Sequence, residues 1–295
     1  MVTAFALAAA LLYGSADFLG GVATRRSRAL SMLPASALSG LLLVLAAAVA
    51  SGGVATRTGL AWGVAAGAVG GVGLIVFYAG LAAGPMTIVA PTSALTATIL
   101  PVAVSLAEGE RAGAVVYAGA LLCLVAIVLV SAAGTPAVTA HSATGPGLLD
   151  RLAARGFHVR AIGYGVAAGA TFGLFFIFLR NAGQAGALWP VVASRLAGFV
   201  VIVFAAAVTR TRPVIRAGST RLLAAILGSG LLDAAANVCY VLATRAGLFG
   251  LAVVLTSLYP GVTVLLARFT LGERLRKAQL AGLLLAAAGV ILVTS

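Results

Sequence analysis

Three charged residues fall inside long apolar runs: Asp17 in LLYGSADFLGG, Arg195 in LWPVVASRLAGF and Asp233 in LLDAAANVCY. A charge at the centre of a membrane-spanning helix costs about 2.5–3.5 kcal/mol on insertion scales, so such residues face a bundle interior or a wet cavity and usually have a partner. Asp17 has Tyr13 one helical turn before it, on the same face at i, i+4. A carboxylate among apolar groups takes up a proton more readily than one in water. Asp17 therefore reads either as a site for which a proton and a cationic or zwitterionic substrate compete, or as a structural carboxylate bound to nearby backbone or hydroxyl groups. The planar guanidinium of Arg195 can hold a substrate carboxylate through two parallel bonds. Its alternatives are an ion pair with Asp233 or Asp17, or snorkelling to the interface. Asp233 and Asn237 are again i, i+4, with Tyr240 further along the same run. That polar stripe either lines a cavity or bonds a neighbouring helix. Tyr78, Thr92, Ser93, Thr96 and Tyr259 recur near the same depth and are candidate path-lining residues, with ordinary packing as the alternative.

Other polar groups carry less. Glu110 and Glu273 each precede an apolar run, where an acid complements the positive end of a helix dipole, so both read as structural. Cys123 and Cys239 lie inside apolar runs with no metal or disulfide spacing and read as small packing residues. His141 and His158 fall in a polar stretch and receive no role. No metal site and no cofactor are expected. H-E-x-x-H, G-x-S-x-G, C-x-x-C and G-x-x-x-x-G-K-[ST] do not occur, and the single lysine, Lys277, could not serve the last of these. An enzyme is not expected, and neither is ATP-driven transport by this chain alone.

The elements that must position these residues follow from composition. The chain is 62% hydrophobic and 8% charged, against about 25% charged in soluble domains. About 20 apolar residues span a bilayer core, and such windows recur from end to end. Runs such as LLLVLAAAVA do not alternate as strands of a membrane barrel do. The expectation is an all-α membrane protein with ten transmembrane helices, at roughly 3–22, 30–51, 60–82, 86–107, 113–133, 161–180, 187–208, 222–244, 248–269 and 277–294. Residues 3–22 lack a basic leader and read as a retained helix. Trp62 and Trp189 near span starts read as interface anchors. The net charge of +13 sits in short loops, as membrane topology signals do, and no nucleic acid is expected.

The Pro-, Gly- and Ser-bearing stretch 134–160 reads as a linker between two sets of five helices, 1–133 and 161–295. The sets resemble each other. Gly109, Glu110 and Arg111 align with Gly272, Glu273 and Arg274, and Gly119 with Gly282, at one constant offset. Gly14 corresponds to Gly173, and Pro34 to Pro190. Five is odd, so the second copy enters the membrane from the opposite side, giving two inverted repeats. Glycines four apart, Gly59, Gly63, Gly67 and Gly71 in the third span and Gly165, Gly169 and Gly173 in the sixth, form smooth stripes that let backbones approach. They serve static packing or sliding between helices.

Two five-helix repeats, each with G-E-R between its fourth and fifth helices, followed in the second by Gln279 and Gly282 and preceded by Pro260, resemble the EamA-type members of the drug/metabolite transporter superfamily. The resemblance covers nearly the whole chain. It implies an inverted-repeat carrier of small metabolites, amino acids or drugs, often an exporter, multi-pass in the cytoplasmic (inner) membrane. In the first repeat Pro101 lies a turn closer to G-E-R than Pro260 does, and Ser39 stands where the second repeat has Arg195. The small multidrug-resistance branch is similar in placing a carboxylate in its first helix. The expected partners are a small-molecule substrate, the lipid bilayer and a proton, in a monomer or homodimer. An uncoupled facilitator or channel, and a non-transporting scaffold subunit, are the alternatives. Lys and Arg concentrate in the odd-numbered loops, which places those loops in the cytoplasm and both termini outside. The resemblance implies termini in the cytoplasm.

Overall fold

The computed structural model describes residues 1–24, 29–83, 86–132, 148–184, 188–211, 220–272 and 275–294. Glu273 and Arg274 of the second G-E-R, the side chain of His158, and the whole stretch 133–147 with His141 lie outside the described residues.

Ala, Leu and Val dominate every apolar run. In hydrocarbon each backbone N–H and C=O must find its partner within the segment, so such runs become helices. Eleven helices occur among the described residues: α1 Val2–Thr24, α2 Ala29–Ser51, α3 Arg57–Ala83, α4 Met86–Ala107, α5 Ala114–Ala132, α6 Leu148–Gly183, α7 Trp189–Val208, α8 Thr220–Ala246, α9 Phe249–Thr256, α10 Tyr259–Leu271 and α11 Lys277–Thr294. Eight segments are long and apolar enough to cross a membrane, with α9 and α10 counted together. The other two expected spans, α5 and α11, have 19 and 18 residues. At about 1.5 Å per residue they reach roughly 27–29 Å, just short of a hydrocarbon core of about 30 Å.

Two elements differ from the sequence expectation. α6 begins at Leu148, well before 161, so the latter part of the expected linker is helical. The ninth span is broken in two. Ser257 donates its N–H to Val253, but Leu258 and Gly261 bond back only three residues, to Leu255 and Leu258. Pro260 is the cause: it has no N–H to offer the carbonyl four residues before it, and its ring crowds that turn. Pro91 and Pro101 lie within α4, which remains one continuous element.

The helices pair in a pattern that survives exchange of the two sets of five spans. α1 packs on α8 as α6 packs on α3; α2 packs on α8 as α7 packs on α3; α1 lies against α9 and α10 as α6 lies against α4. α2 with α7, and α5 with α11, complete the set. The glycine stripes sit at these crossings. A Cβ on Gly67 of α3 would stand 1.9 Å from the Ser194 carbonyl oxygen of α7, and one on Gly230 of α8 would stand 1.8 Å from the Ser36 carbonyl oxygen of α2. Only glycine permits approach this close.

The start of α1, the end of α8, the start of α9 and the end of α11 share one hydrophobic cluster, built on Ala6, Ala243, Ala252, Leu255 and Val293. Both termini therefore lie at one end of the bundle. A separate cluster of Ala23, Met32 and Ile226 ties the other end.

Candidate functional site

α1, α2, α3, α4, α6, α7, α8 and the α9–α10 break enclose a cavity of about 280 Å³. On α1 its walls run from Tyr13 to Asp17, and on α2 from Leu33 to Ala37. It therefore reaches from mid-bundle toward the end where α1 gives way to α2. Toward the other end lies a packed core that includes Leu179, Val191, Tyr240, Val241, Phe249 and Val253, all essentially without exposure. The cavity is closed on that side.

Asp17, Arg195, Asp233, Asn237, Tyr13 and Tyr259, six of the eight residues expected from sequence, line this cavity. Tyr78 and Tyr240 do not. Tyr78 is half-buried on α3, edge-on to Phe77. Tyr240 is fully buried, and its hydroxyl donates to the Phe176 carbonyl at 3.0 Å. The i, i+4 stripe of α8 thus splits: Asp233 and Asn237 face the cavity, while the turn beyond them enters the core. Ser93 lines the cavity, whereas the Thr92 and Thr96 hydroxyls donate to carbonyls four residues earlier on α4.

The charges are arranged unequally. Arg195 Nη1 donates to Asp233 Oδ2, and Arg195 Nη2 donates to the Asp233 carbonyl at 2.7 Å. Asn237 Nδ2 donates to the same carbonyl at 2.7 Å. The Arg195 side chain is 15% exposed and that of Asp233 is 41% exposed, so the carboxylate keeps a face toward the cavity. Arg195 thus forms an ion pair with Asp233. In the first repeat, Ser39 instead donates to the Leu227 carbonyl of α8 at 2.9 Å. A hydroxyl there joins α2 to α8 without a buried charge.

Asp17 is exposed, and its exposure is to the cavity. Among the described residues its carboxylate has no hydrogen-bond or ion-pair partner. The Tyr13 hydroxyl is buried and has no hydrogen-bond partner among the described residues either. An unpaired buried hydroxyl costs about 1–3 kcal/mol, so its persistence needs a reason.

Several lining residues were not singled out in the sequence: Phe172, Phe175, Phe176 and Phe199, with Ser36, Thr98, Ser194 and Ser257. Phe176 meets Tyr13 edge-on, with ring centroids 6.3 Å apart, and Phe175 at 5.3 Å. For Phe175 and Phe176 the available signal was the run GLFFIFL, which begins at Gly173 of the α6 glycine stripe.

At the closed end, Glu110 does more than precede α5. Its carboxylate accepts the backbone N–H groups of Phe249 and, at 2.8 Å, of Gly250, along with the Ser105 hydroxyl. It caps α9, in the opposite half of the chain, and the dipole it complements is that of α9. Beside it, Arg180 of α6 pairs with Glu108 and stands 4.3 Å above the Phe249 ring. The turn that presents Glu110 depends on Gly109 at φ +84°, a conformation that favours glycine.

Residues 159–295 match the EamA-like transporter family. That stretch is similar to the family over most of the second set of helices. No curated protein matches the chain in sequence. A solved crystal structure, described only as a protein, superposes with a TM-score of 0.76 over 99% of this chain and 95% of its own, at 19% identity. That likeness concerns the fold. The family match over residues 159–295 and the eight segments long and apolar enough to cross a membrane support a multi-pass membrane protein.

Proposed function

We propose that the chain is a secondary transporter that moves small organic solutes across the cytoplasmic membrane by alternating access, with Asp17 as the group that a proton and the solute share. The observation that carries this reading is the central cavity. It lies between the two halves, is closed at one end by a packed core and the Glu110 cap, and holds a carboxylate with no partner among the described residues. A passive scaffold gains nothing from a charge kept there against its desolvation cost. The exchange-symmetric helix pairing supports two repeats. Their odd span number implies opposite orientations and two equivalent ways of opening. The cavity reaches toward the end where α1 gives way to α2, and the sequence between those helices carries Arg25, Arg26 and Arg28. The positive-inside bias puts that loop in the cytoplasm. Loading then occurs from the cytoplasm and transport runs outward.

The test is flux of labelled amino acids, nucleosides, sugars and cationic drugs into liposomes holding the purified protein, with and without a proton gradient. Asp17→Asn is expected to abolish gradient-driven flux while membrane insertion is unchanged. Flux that ignores both the gradient and Asp17→Asn identifies an uncoupled facilitator; no flux of any solute identifies a scaffold.

A further inference from the structure

The charge balance of the cavity is the starting point. Among the described residues its lining carries three formal charges: Asp17, Arg195 and Asp233. Arg195 is committed to Asp233 through both the carboxylate and the backbone carbonyl. The remaining charge is a single negative one, on Asp17. No lysine or second arginine lines the cavity among the described residues, so an incoming carboxylate meets net negative charge and no free cation.

The walls indicate the rest of the ligand. Phe172, Phe175, Phe176, Phe199, Tyr13 and Tyr259 present aromatic faces and edges to one space. Tyr13 meets Tyr259 at 6.1 Å and Phe176 at 6.3 Å, forming a corner one turn from Asp17. Aromatic faces attract cations most strongly where water is excluded. They also take up a flat apolar body. The Tyr13 hydroxyl oxygen, unpaired in the same corner, can accept an N–H. At about 280 Å³ the space lies near the lower end of small-molecule sites, which run from roughly 300 to 1,000 Å³.

We infer that the cavity binds a small organic monocation, a protonated primary or secondary amine on an aromatic body, with its ammonium group on Asp17 and Tyr13 and its ring among the phenylalanines. The site rejects the same body when it bears a carboxylate. This deepens the transporter reading by naming its substrate class, and it excludes zwitterionic amino acids, which the family resemblance alone leaves open.

Three probes of one shape test it: phenethylamine, phenylalanine, which adds a carboxylate, and 3-phenylpropionate, which has only the carboxylate. Calorimetry on the purified full chain is expected to show phenethylamine binding at least tenfold more tightly than phenylalanine, and no heat from 3-phenylpropionate. Asp17→Asn is expected to weaken phenethylamine by about 10- to 100-fold, the range for losing a hydrogen bond to a charged group, and Asp17→Glu to retain most of the affinity. Phenylalanine binding as tightly as phenethylamine, undiminished phenethylamine binding to Asp17→Asn, or no binding of phenethylamine overturns the inference. If Asp17→Asn does not fold, the three-probe series on the unaltered protein decides alone. Liposome flux separates the two claims. Phenylalanine flux without phenethylamine flux defeats the inference and leaves the transporter reading intact; phenethylamine binding with no flux of any solute does the reverse.

Discussion

Gly67→Ala offers the sharpest test of how the cavity is held. A methyl group at Gly67 would lie 1.9 Å from the Ser194 carbonyl oxygen, 2.7 Å from its carbon and 2.9 Å from the Gly198 nitrogen. These are backbone atoms of α7, and no rotamer change moves them aside. Ordinary contact begins at 3.4 Å, so α7 must withdraw by about 1.5 Å in a tightly packed interior. The next residue on α7 is Arg195, whose 2.7 Å bond to the Asp233 carbonyl is strained by a shift of that size. Overpacking costs about 1–3 kcal/mol, equivalent to a midpoint lowered by roughly 2–10 °C. The control is Gly163→Ala on α6, where a methyl group meets nothing within 4 Å. There alanine gains about 0.5–1 kcal/mol over glycine in a helix interior, and the midpoint rises slightly. The assay is thermal unfolding of both variants in one detergent. The opposite signs are the prediction. A Gly67→Ala protein that melts with or above the parent refutes the close approach of α3 and α7, and with it the geometry of the cavity wall.

Two further outcomes follow from the same contacts. Arg195→Gln leaves the Asp233 carboxylate without its cation; breaking a buried pair costs about 3–5 kcal/mol, less here because the Asp233 side chain is 41% exposed. Adding Asp233→Asn should restore most of the melting temperature, and a double variant as unstable as the single one removes the pair from the account. Glu110→Ala strips the acceptor from the first N–H groups of α9, at about 1–3 kcal/mol for each donor left unpaired. Amide hydrogen exchange at Phe249 and Gly250 should accelerate, while unchanged exchange there means that Glu110 is not the cap.

Contacts between segments far apart in the chain placed several groups that the sequence could not. Arg195 had three readings, and its pairing with Asp233 depends on how α7 crosses α8. Glu110 was legible as an acid beside a helix start, but the start it serves is that of α9, in the other half. The phenylalanines of the cavity were missed because a ring on an apolar helix has the same periodicity whether it faces lipid, core or a void. Tyr240 continues the stripe of Asp233 and Asn237 in sequence, yet enters the core because the cavity ends before its turn.

What the chain alone determined is its partition between lipid and water. Twenty-residue apolar runs have one stable state in a bilayer, and charges within the spans such as Asp17 are too costly to face acyl chains, so spans and polar centres could be read by inspection. Which charges neutralise each other, and which is left over, belongs to the tertiary structure. That balance is set by distances of a few ångströms between helices, and glycine stripes that allow such approach do not say which backbone will fill them.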